Sequence, residues 1–200
     1  MSESPLRFDT GYYRRFYLDP KTRIYDRNRQ WSLVLGTVSF ADWLGVQIRS
    51  VLDVGAGLGW WGQWFKKHRP GVRVVSTEYE AETCKAYGHL QADISNWRLD
   101  EQFDLVICQG VLPYLETPAA KRAIDNLGAM SRGLMYLEAI TKADTVDSVD
   151  PSLTDMRIHR RTGSWYRKAL KPHFRQVGGG LWAKREGDVI FYELEAAERA

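Results

Sequence analysis

Cysteine is scarce in this chain: of its 200 residues, only Cys84 and Cys108 are cysteines. Both stand in apolar patterns, and their spacing is not that of a metal site. A chain of this length can bury on the order of 70% of its unfolded surface, so its core needs no disulfide. We therefore expect reduced structural thiols, no metal and a cytoplasmic protein.

Long apolar segments are also lacking. No stretch approaches the about 18 apolar residues from which a membrane-spanning helix is read. The first five residues lead into charged and aromatic sequence rather than into the apolar region of a signal peptide. We expect neither a signal peptide nor a membrane span. With 44% hydrophobic and 26% charged residues, the composition is that of an ordinary globular protein and favours one domain.

A large excess of charge is absent too. The formal net charge is +3, which by itself gives no reason to expect nucleic-acid binding. The distribution is uneven, however, because residues 156–185 contain nine Lys or Arg and no Asp or Glu. Such a segment is typical of a solvated face, and it can also bias which substrates approach.

Three glycines, Gly55, Gly57 and Gly59, follow a short apolar run that reaches Asp53, and an apolar pattern resumes at Trp60. This order predicts a buried strand, a tight turn and a helix. Glycine accepts positive φ and lets a ligand lie against the backbone, while the free N–H groups of the next helix favour electron-rich atoms. The turn therefore predicts a site for a nucleotide-like cofactor.

The G-x-G-x-G spacing after an acidic strand end resembles motif I of the class I S-adenosylmethionine-dependent methyltransferases. The dinucleotide fingerprint G-x-G-x-x-G would need a third glycine where Trp60 stands. An NAD-linked oxidoreductase and a purely structural turn remain alternatives. So does a member of the same fold that binds S-adenosylmethionine or a protein partner without catalysis.

Strand and helix patterns alternate along the chain, which predicts a parallel α/β sheet. Helices are predicted at 60–68, 81–87 and 115–130, with two more in 7–48 separated at Asp19-Pro20; strands are predicted at 72–77, 89–92, 103–108 and 133–137, and a hairpin at 181–194 turns at Gly187. The resemblance implies a Rossmann-like, seven-stranded, mostly parallel sheet with an antiparallel last strand and helices on both faces. We expect one domain, with 1–48 as a helical cap and 49–200 as the α/β core.

Four strands would deliver polar groups to one crevice, because ligands of open α/β sheets bind at the carboxyl ends of the strands. The resemblance assigns Asp53 and the three glycines to the methionine end of S-adenosyl-L-methionine, and Glu78 to the ribose hydroxyls. It assigns Asp93 and Ile94 to the adenine edge. Gln109 would border the methionine moiety, and Trp60, Trp61 and Tyr114 are candidates to attract the sulfonium. Glu78 would suit the ribose of NAD equally well.

The catalytic residues are left open. In-line methyl transfer requires positioning and needs neither a metal nor a covalent intermediate. Tyr114 and His159 are candidate bases, whereas His89 is interpreted as structural. The aromatic residues of the N-terminal helices are typical of a core, and the resemblance raises the alternative that Tyr12 or Tyr13 closes over the cofactor. Tyr13 and Tyr114 are expected to contact the acceptor.

The acceptor is expected to be a small molecule. Residues 109–114 lack the motif of methyltransferases that modify bases, and Gln109 stands where catechol-type enzymes place a metal-binding acid. The cation-rich segment 156–185 favours an anionic acceptor with Arg161 as its contact, because a guanidinium matches a carboxylate or phosphate. A solvated face or a nucleic-acid backbone remain alternatives for that segment, although we do not favour nucleic acid, and the oligomeric state stays open.

Overall fold

Seven strands form one sheet in the computed structural model, which describes residues 8–195. They are β1 (Ser50–Val54), β2 (Arg73–Glu78), β3 (Leu90–Gln91), β4 (Phe103–Gln109), β5 (Ser131–Glu138), β6 (Phe174–Gly178) and β7 (Leu181–Lys184). Their order across the sheet is β3-β2-β1-β4-β5-β7-β6. β7 lies antiparallel between β5 and β6, and the other neighbouring pairs are parallel. The predicted fold class is confirmed.

The helices of the described chain are α1 (Thr10–Tyr13), α2 (Arg27–Trp43), α3 (Trp60–His68), α4 (Ala81–Tyr87), α5 (Thr117–Met130), α6 (Asp144–Asp147) and α7 (Gly163–Leu170). A π-helical turn, Arg14–Leu18, continues α1, and a 3₁₀ turn, Leu112–Tyr114, precedes α5. The side chains of Asp9 and Asp26 accept backbone hydrogen bonds at the starts of α1 and α2. No helix between residues 8 and 195 is long and apolar enough to cross a membrane.

Both faces of the sheet are covered. Successive residues of a strand point to opposite faces, so Val51 and Leu52 belong to two different apolar clusters. Helices α5 and α7 pack on the face of Leu52, and α2 and α3 pack on the face of Val51.

The parallel strands end together at one edge of the sheet. The strand order reverses between β1 and β4, and this is where such sheets bind ligands.

The helices predicted at 60–68 and 81–87 have these bounds in the structure, and the break between the first two helices falls at Asp19-Pro20. Several other boundaries were wrong, including the start of β5, which lies at Ser131 and not at 133. β3 has only two residues because it pairs with nothing beyond the last two residues of β2. α5 begins at Thr117 with Glu116 as its N-cap, because residues 112–114 form a separate turn and Pro118 suits a first helical turn. Residues 1–7 of the predicted cap lie outside the described chain.

The predicted terminal hairpin is corrected by the structure. The reversal occurs at Gly178, Gly179 and Gly180, whose φ angles of 137°, 58° and 85° favour glycine, and not at Gly187. Residues 189–194 belong to no strand. The reason is that β5 and β6 already occupy both edges of β7, which leaves no place for another strand beside it.

Candidate functional site

A cavity of about 490 Å³ lies at the carboxyl ends of β1, β2 and β4, within the roughly 300–1,000 Å³ typical of small-molecule sites. Its walls are the glycine turn, the residues after β3 and β4, and aromatic residues of the N-terminal segment. It brings together all of the predicted cofactor residues except Gly59, namely Asp53, Gly55, Gly57, Trp60, Glu78, Asp93, Ile94 and Gln109. Tyr13 and Tyr114 line it as well.

The glycine turn is constrained by conformation and by space. Gly55, Gly57 and Gly59 have φ angles of 68°, 53° and 68°. A Cβ on Gly55 would lie 2.3 Å from Val111 Cγ2, and one on Gly57 would lie 2.9 Å from Tyr13 Cε1. Gly55 and Gly57 thus keep the backbone close to the cavity, whereas Gly59 ends the turn as the N-cap of α3.

Glu78 joins the end of β2 to the glycine turn. Its side chain is only 4% exposed; Oε2 accepts hydrogen bonds from the Gly57 N–H (3.0 Å) and the Tyr13 hydroxyl (3.2 Å), and Oε1 accepts one from the Tyr79 N–H (2.7 Å). Tyr13 therefore crosses the glycine turn, and the N-terminal segment closes this side of the cavity.

Asp53 is a buried carboxylate with unused hydrogen-bonding capacity. It is 2% exposed, and its buried Oδ2 has no hydrogen-bond partner in the described structure. Burial, and next the charge of Glu78, raise the pKa of Asp53 to about 7. Buried polar groups are normally paired, so this oxygen fits a ligand that brings a donor or a positive charge.

Asp93 follows β3 and caps its own loop. Its carboxylate accepts hydrogen bonds from the Ser95 N–H (2.8 Å) and from Asn96 Nδ2 (3.2 Å). Ile94, the next residue, is buried, and its carbonyl accepts a hydrogen bond from Asn126 Nδ2 (2.8 Å). These hydrogen bonds hold the loop after β3 in place at the wall of the cavity.

Gln109 is the centre of a polar network. Its Oε1 accepts hydrogen bonds from Gln30 Nε2 and Trp61 Nε1, both 2.9 Å away. Its Nε2 donates toward the Tyr25 hydroxyl (3.1 Å), Gln30 Oε1 (3.2 Å) and Glu138 Oε2 (3.2 Å). Burial raises the pKa of Glu138. Glu138 stands at the end of β5, as Asp53 stands near the end of β1, so its position at a strand end could have indicated a site residue. Nothing in the sequence around Gln30 and Tyr25 indicated that they reach this network.

Tyrosines form another part of the lining. Tyr12, Tyr17 and Tyr25 come from the N-terminal segment, and the hydroxyl of Tyr12 lies 2.9 Å from that of Tyr114. Burial raises the pKa of all four, so each hydroxyl keeps its proton at neutral pH. This weakens the case for Tyr114 as a base.

His159 and His89, the two histidines considered in the sequence analysis, do not line the cavity. His159 donates its backbone N–H to the Pro113 carbonyl. Both ring nitrogens of His89 are used: Nε2 lies 2.9 Å from the Gly57 carbonyl oxygen and Nδ1 lies 2.8 Å from Ser76 Oγ. Its ring supports the glycine turn from behind, in agreement with the structural interpretation.

Arg161 requires a correction. It is 7% exposed and does not line the cavity, and its guanidinium donates to the carbonyls of Leu112 and Leu115 and to Thr117 Oγ1. It also lies 4.8 Å from the ring centre of Trp165. Because these donors hold the segment between β4 and α5, Arg161 is a structural residue here. The predicted contact between Arg161 and an anionic acceptor is therefore not supported.

Replacing Arg161 with alanine is expected to lower the free energy of unfolding by about 2–4 kcal/mol, because buried carbonyls would lose their donor. Urea unfolding measures this loss. Arg160→Ala, at the exposed neighbouring position, is the control and should stay within about 0.5 kcal/mol of the parent. Equal stability of the two variants would contradict the fastening role.

Comparison with known proteins identifies the fold. A family model described as a methyltransferase domain matches residues 52–128, and no curated protein matches the sequence. The N-methyltransferase NodS from Bradyrhizobium japonicum WM9, solved with S-adenosyl-L-homocysteine, has a TM-score of 0.57 at 16% identity over 80% of this chain and 87% of its own. A methyltransferase from Clostridium acetobutylicum ATCC 824 gives 0.59 at 11% identity over 80% and 84%.

The plantazolicin methyltransferase BpumL, also solved with S-adenosyl-L-homocysteine, gives a TM-score of 0.59 at 16% identity over 73% of this chain. The matched part spans 63% of BpumL, less than two thirds of its length. At these identities the likeness concerns the fold. The methyltransferase-domain model thus covers residues 52–128, less than half of the chain, and the chain has the fold of the class I S-adenosylmethionine-dependent methyltransferases, as the resemblance of its glycine turn to motif I implied.

Proposed function

We propose that this chain binds S-adenosyl-L-methionine in the cavity at the strand ends and transfers its methyl group to a small-molecule acceptor. The observation that supports the proposal most directly is the meeting of Asp53, the glycine turn and Glu78 at one wall of the cavity. Asp53 offers a carboxylate oxygen without a hydrogen-bond donor, and the glycines beside it let a ligand approach the backbone closely.

The residues present fit the parts of this cofactor. The unpartnered oxygen of Asp53 suits the ammonium group, because charge-assisted hydrogen bonds are the strong ones. The two carboxylate oxygens of Glu78 suit a pair of neighbouring ribose hydroxyls. Asp93 and Ile94 would border the adenine, and Gln109 and Trp60 the methionine moiety.

S-adenosyl-L-methionine, when bound, supplies a methyl group on a positively charged sulfur. The chain's own task is then to hold the acceptor at roughly 3–3.5 Å and in line with that methyl group. Faces of Trp60 and the surrounding tyrosines favour positive charge, and Tyr13 excludes water from the glycine turn. Tyr17 packs edge-on to Trp60 with ring centres 6.0 Å apart, which fixes the indole orientation.

A small acceptor is supported by the neighbours and by the sequence. Two solved proteins of this fold are named for the compounds they methylate, plantazolicin and the magnesium protoporphyrin IX of ChlM from Synechocystis PCC 6803. Residues 109–114 lack the motif that methyltransferases of exocyclic base amines use. Both observations support a small metabolite as the proposed acceptor.

The purified chain is expected to bind S-adenosyl-L-methionine and S-adenosyl-L-homocysteine in preference to NAD, because Trp60 replaces the third glycine of a dinucleotide site. Thermal unfolding with increasing ligand measures this. A ligand at 100 times its dissociation constant adds about 2.7 kcal/mol of stability. A shift with NAD alone would contradict the proposal. Binding of the cofactor without any methyl transfer to a metabolite extract would instead favour a non-catalytic member of the fold.

A further inference from the structure

The cavity walls carry negative charge only. Its charged lining residues are Asp53, Glu78, Asp93 and Glu116, and the described part of the chain contributes no Lys, Arg or His to the lining. S-adenosyl-L-methionine brings one carboxylate, one ammonium and one sulfonium, which offset only part of this charge. An anionic acceptor would therefore enter a field that repels it.

A neighbouring cavity does not change this balance. A second, more open cavity of about 650 Å³ shares Tyr12 with the first and contains two acids, Asp9 and Asp155, beside Arg15 and Arg157. Arg157 forms two hydrogen bonds of 3.0 Å to the Asp155 carboxylate. The charge of Arg157 is thus already matched, and Arg15 lies 5.0 Å from the ring centre of Phe16, so the two acids of this cavity balance its two arginines.

Glu138 adds a further uncompensated charge behind the tyrosines. Its Oε2 accepts from Gln109 Nε2 (3.2 Å) and from the Tyr136 hydroxyl (3.4 Å), and no ion pair involves it in residues 8–195. Burial is the main cause of the raised pKa values of Tyr17 and Tyr25, and after a neighbouring tyrosine the charge of Glu138 raises both further. The acidic field therefore reaches the aromatic end of the cavity.

The aromatic end has the composition of a site for a cation or an amine. Phe8 lies edge-on to Tyr12 and to Tyr114, with ring centres 5.1 and 4.9 Å apart, and Tyr17 and Tyr25 lie 5.7 Å apart. Ring faces attract ammonium groups, and the phenol oxygens accept hydrogen bonds from N–H groups.

Resting on the proposed function, we infer that the methyl acceptor is an amine, held by the tyrosine-lined end of the cavity and favoured there by Glu138 and the cavity carboxylates. An amine arrives as a cation that this field attracts. The ammonium first releases one proton to water, and the neutral amine then attacks with its lone pair, so no strong base is needed in the displacement itself. That requirement matches a lining whose tyrosines keep their protons and whose described residues include no histidine.

The reaction balances without another reagent. The nitrogen lone pair forms the new N–C bond to the methyl carbon, the C–S bond breaks, and its electron pair remains on sulfur as the thioether of S-adenosyl-L-homocysteine. The nitrogen takes the positive charge and loses its N–H proton to water at the mouth of the cavity, where Glu116 is exposed.

Three probes that differ in their head group test the inference: 2-phenylethylamine, 2-phenylethanol and 3-phenylpropionate. Calorimetric titration into the chain saturated with S-adenosyl-L-homocysteine, at pH 7.5, gives their dissociation constants. We expect the amine to bind about tenfold more tightly than the carboxylate, as a cation held by aromatic faces and acids should. Equal or tighter binding of the carboxylate, equal binding of the alcohol, or no binding of the amine overturns the inference.

Glu138→Gln, with Glu82→Gln on the exposed surface of α4 as control, separates charge from packing. The preference for amine over carboxylate should fall about fivefold in Glu138→Gln alone, while the affinity for 2-phenylethanol changes less than twofold. An unchanged preference overturns the role of Glu138. The titration of S-adenosyl-L-homocysteine that precedes the probes tests the proposed function separately. If S-adenosyl-L-homocysteine does not bind, the proposed function fails, and the preference among the three probes is then measured on the unliganded chain.

Discussion

Replacing Asp53 with asparagine is expected to stabilise the unliganded protein and to weaken its binding of S-adenosyl-L-methionine. The carboxylate is buried near Glu78, and its Oδ2 has no donor. Asparagine has nearly the same shape and carries no charge, so it removes the cost of burying an ion. If Asp53 is kept for binding, it should lower the stability of the unliganded protein and raise its affinity for the cofactor.

The stability effect should depend on pH. The folded pKa of about 7 is raised above the roughly 3.9 of an unfolded aspartate. Between these values the unfolded chain releases a proton that the folded chain keeps, so stability falls as pH rises from about 4 to 7, and the loss is complete above that. Asp53→Asn should therefore match the parent near pH 4 and exceed its free energy of unfolding by about 2–4 kcal/mol at pH 8.

The binding effect has the opposite sign. Losing a charge-assisted hydrogen bond to the ammonium group should weaken cofactor binding roughly 10- to 150-fold. Binding to the parent should also strengthen as pH rises through 7, because Asp53 ionises. Urea unfolding and calorimetric titration at pH 5.5 and 8 measure both effects, with the exposed Asp100→Asn as control. A variant that is less stable at pH 8 and binds normally would show that Asp53 serves the core.

Local sequence was sufficient for the glycine turn and the strand ends that surround the cavity. The apolar run, Asp53 and three glycines determine strand, turn and helix within about ten residues, and these patterns need no distant partner. Parallel strands then bring their carboxyl ends to one edge. Asp53, Glu78, Asp93 and Gln109 line one cavity for this reason.

The acceptor side could not be predicted in the same way. Gln30 reaches Gln109 across 79 positions of sequence, and Tyr12 reaches Tyr114 across 102. Contacts of this kind depend on how the N-terminal segment crosses the sheet, which no periodicity encodes. The same limit explains Arg161: a cation-rich segment predicts a solvated face or an anion site, but the carbonyls that its guanidinium binds lie 46 to 49 positions earlier.

The charge expected of the acceptor also depends on contacts that the linear sequence does not show. Nine cations in residues 156–185 dominate the linear sequence, yet none lines the main cavity, and the carboxylates that do line it are scattered from Asp53 to Glu116. Net charge of a segment describes what a binding partner meets only when that segment forms the wall of the site.

Replacing Glu78 with glutamine should weaken cofactor binding roughly 10- to 150-fold, because the ribose hydroxyls would lose a charged acceptor. In the unliganded chain this carboxylate already accepts from Gly57 N–H, Tyr13 hydroxyl and Tyr79 N–H. A glutamine amide turns one N–H group toward one of these donors, so the glycine turn and Tyr13 should lose their fixed positions as well. Calorimetric titration of S-adenosyl-L-homocysteine gives the loss in affinity.

Glu80→Gln is the matched control, because Glu80 lies two positions further along, is not part of the cavity lining and makes no side-chain cap to α4. Its binding of S-adenosyl-L-homocysteine should stay within about twofold of the parent. Equal losses in the two variants would mean that the end of β2 does not bind the ribose. A loss confined to Glu78→Gln, together with the predicted stabilisation by Asp53→Asn, would show that both carboxylates are kept for the ligand. Glu78 already accepts from three donors in the unliganded chain. Asp53 Oδ2 has no donor there and would receive one from the cofactor.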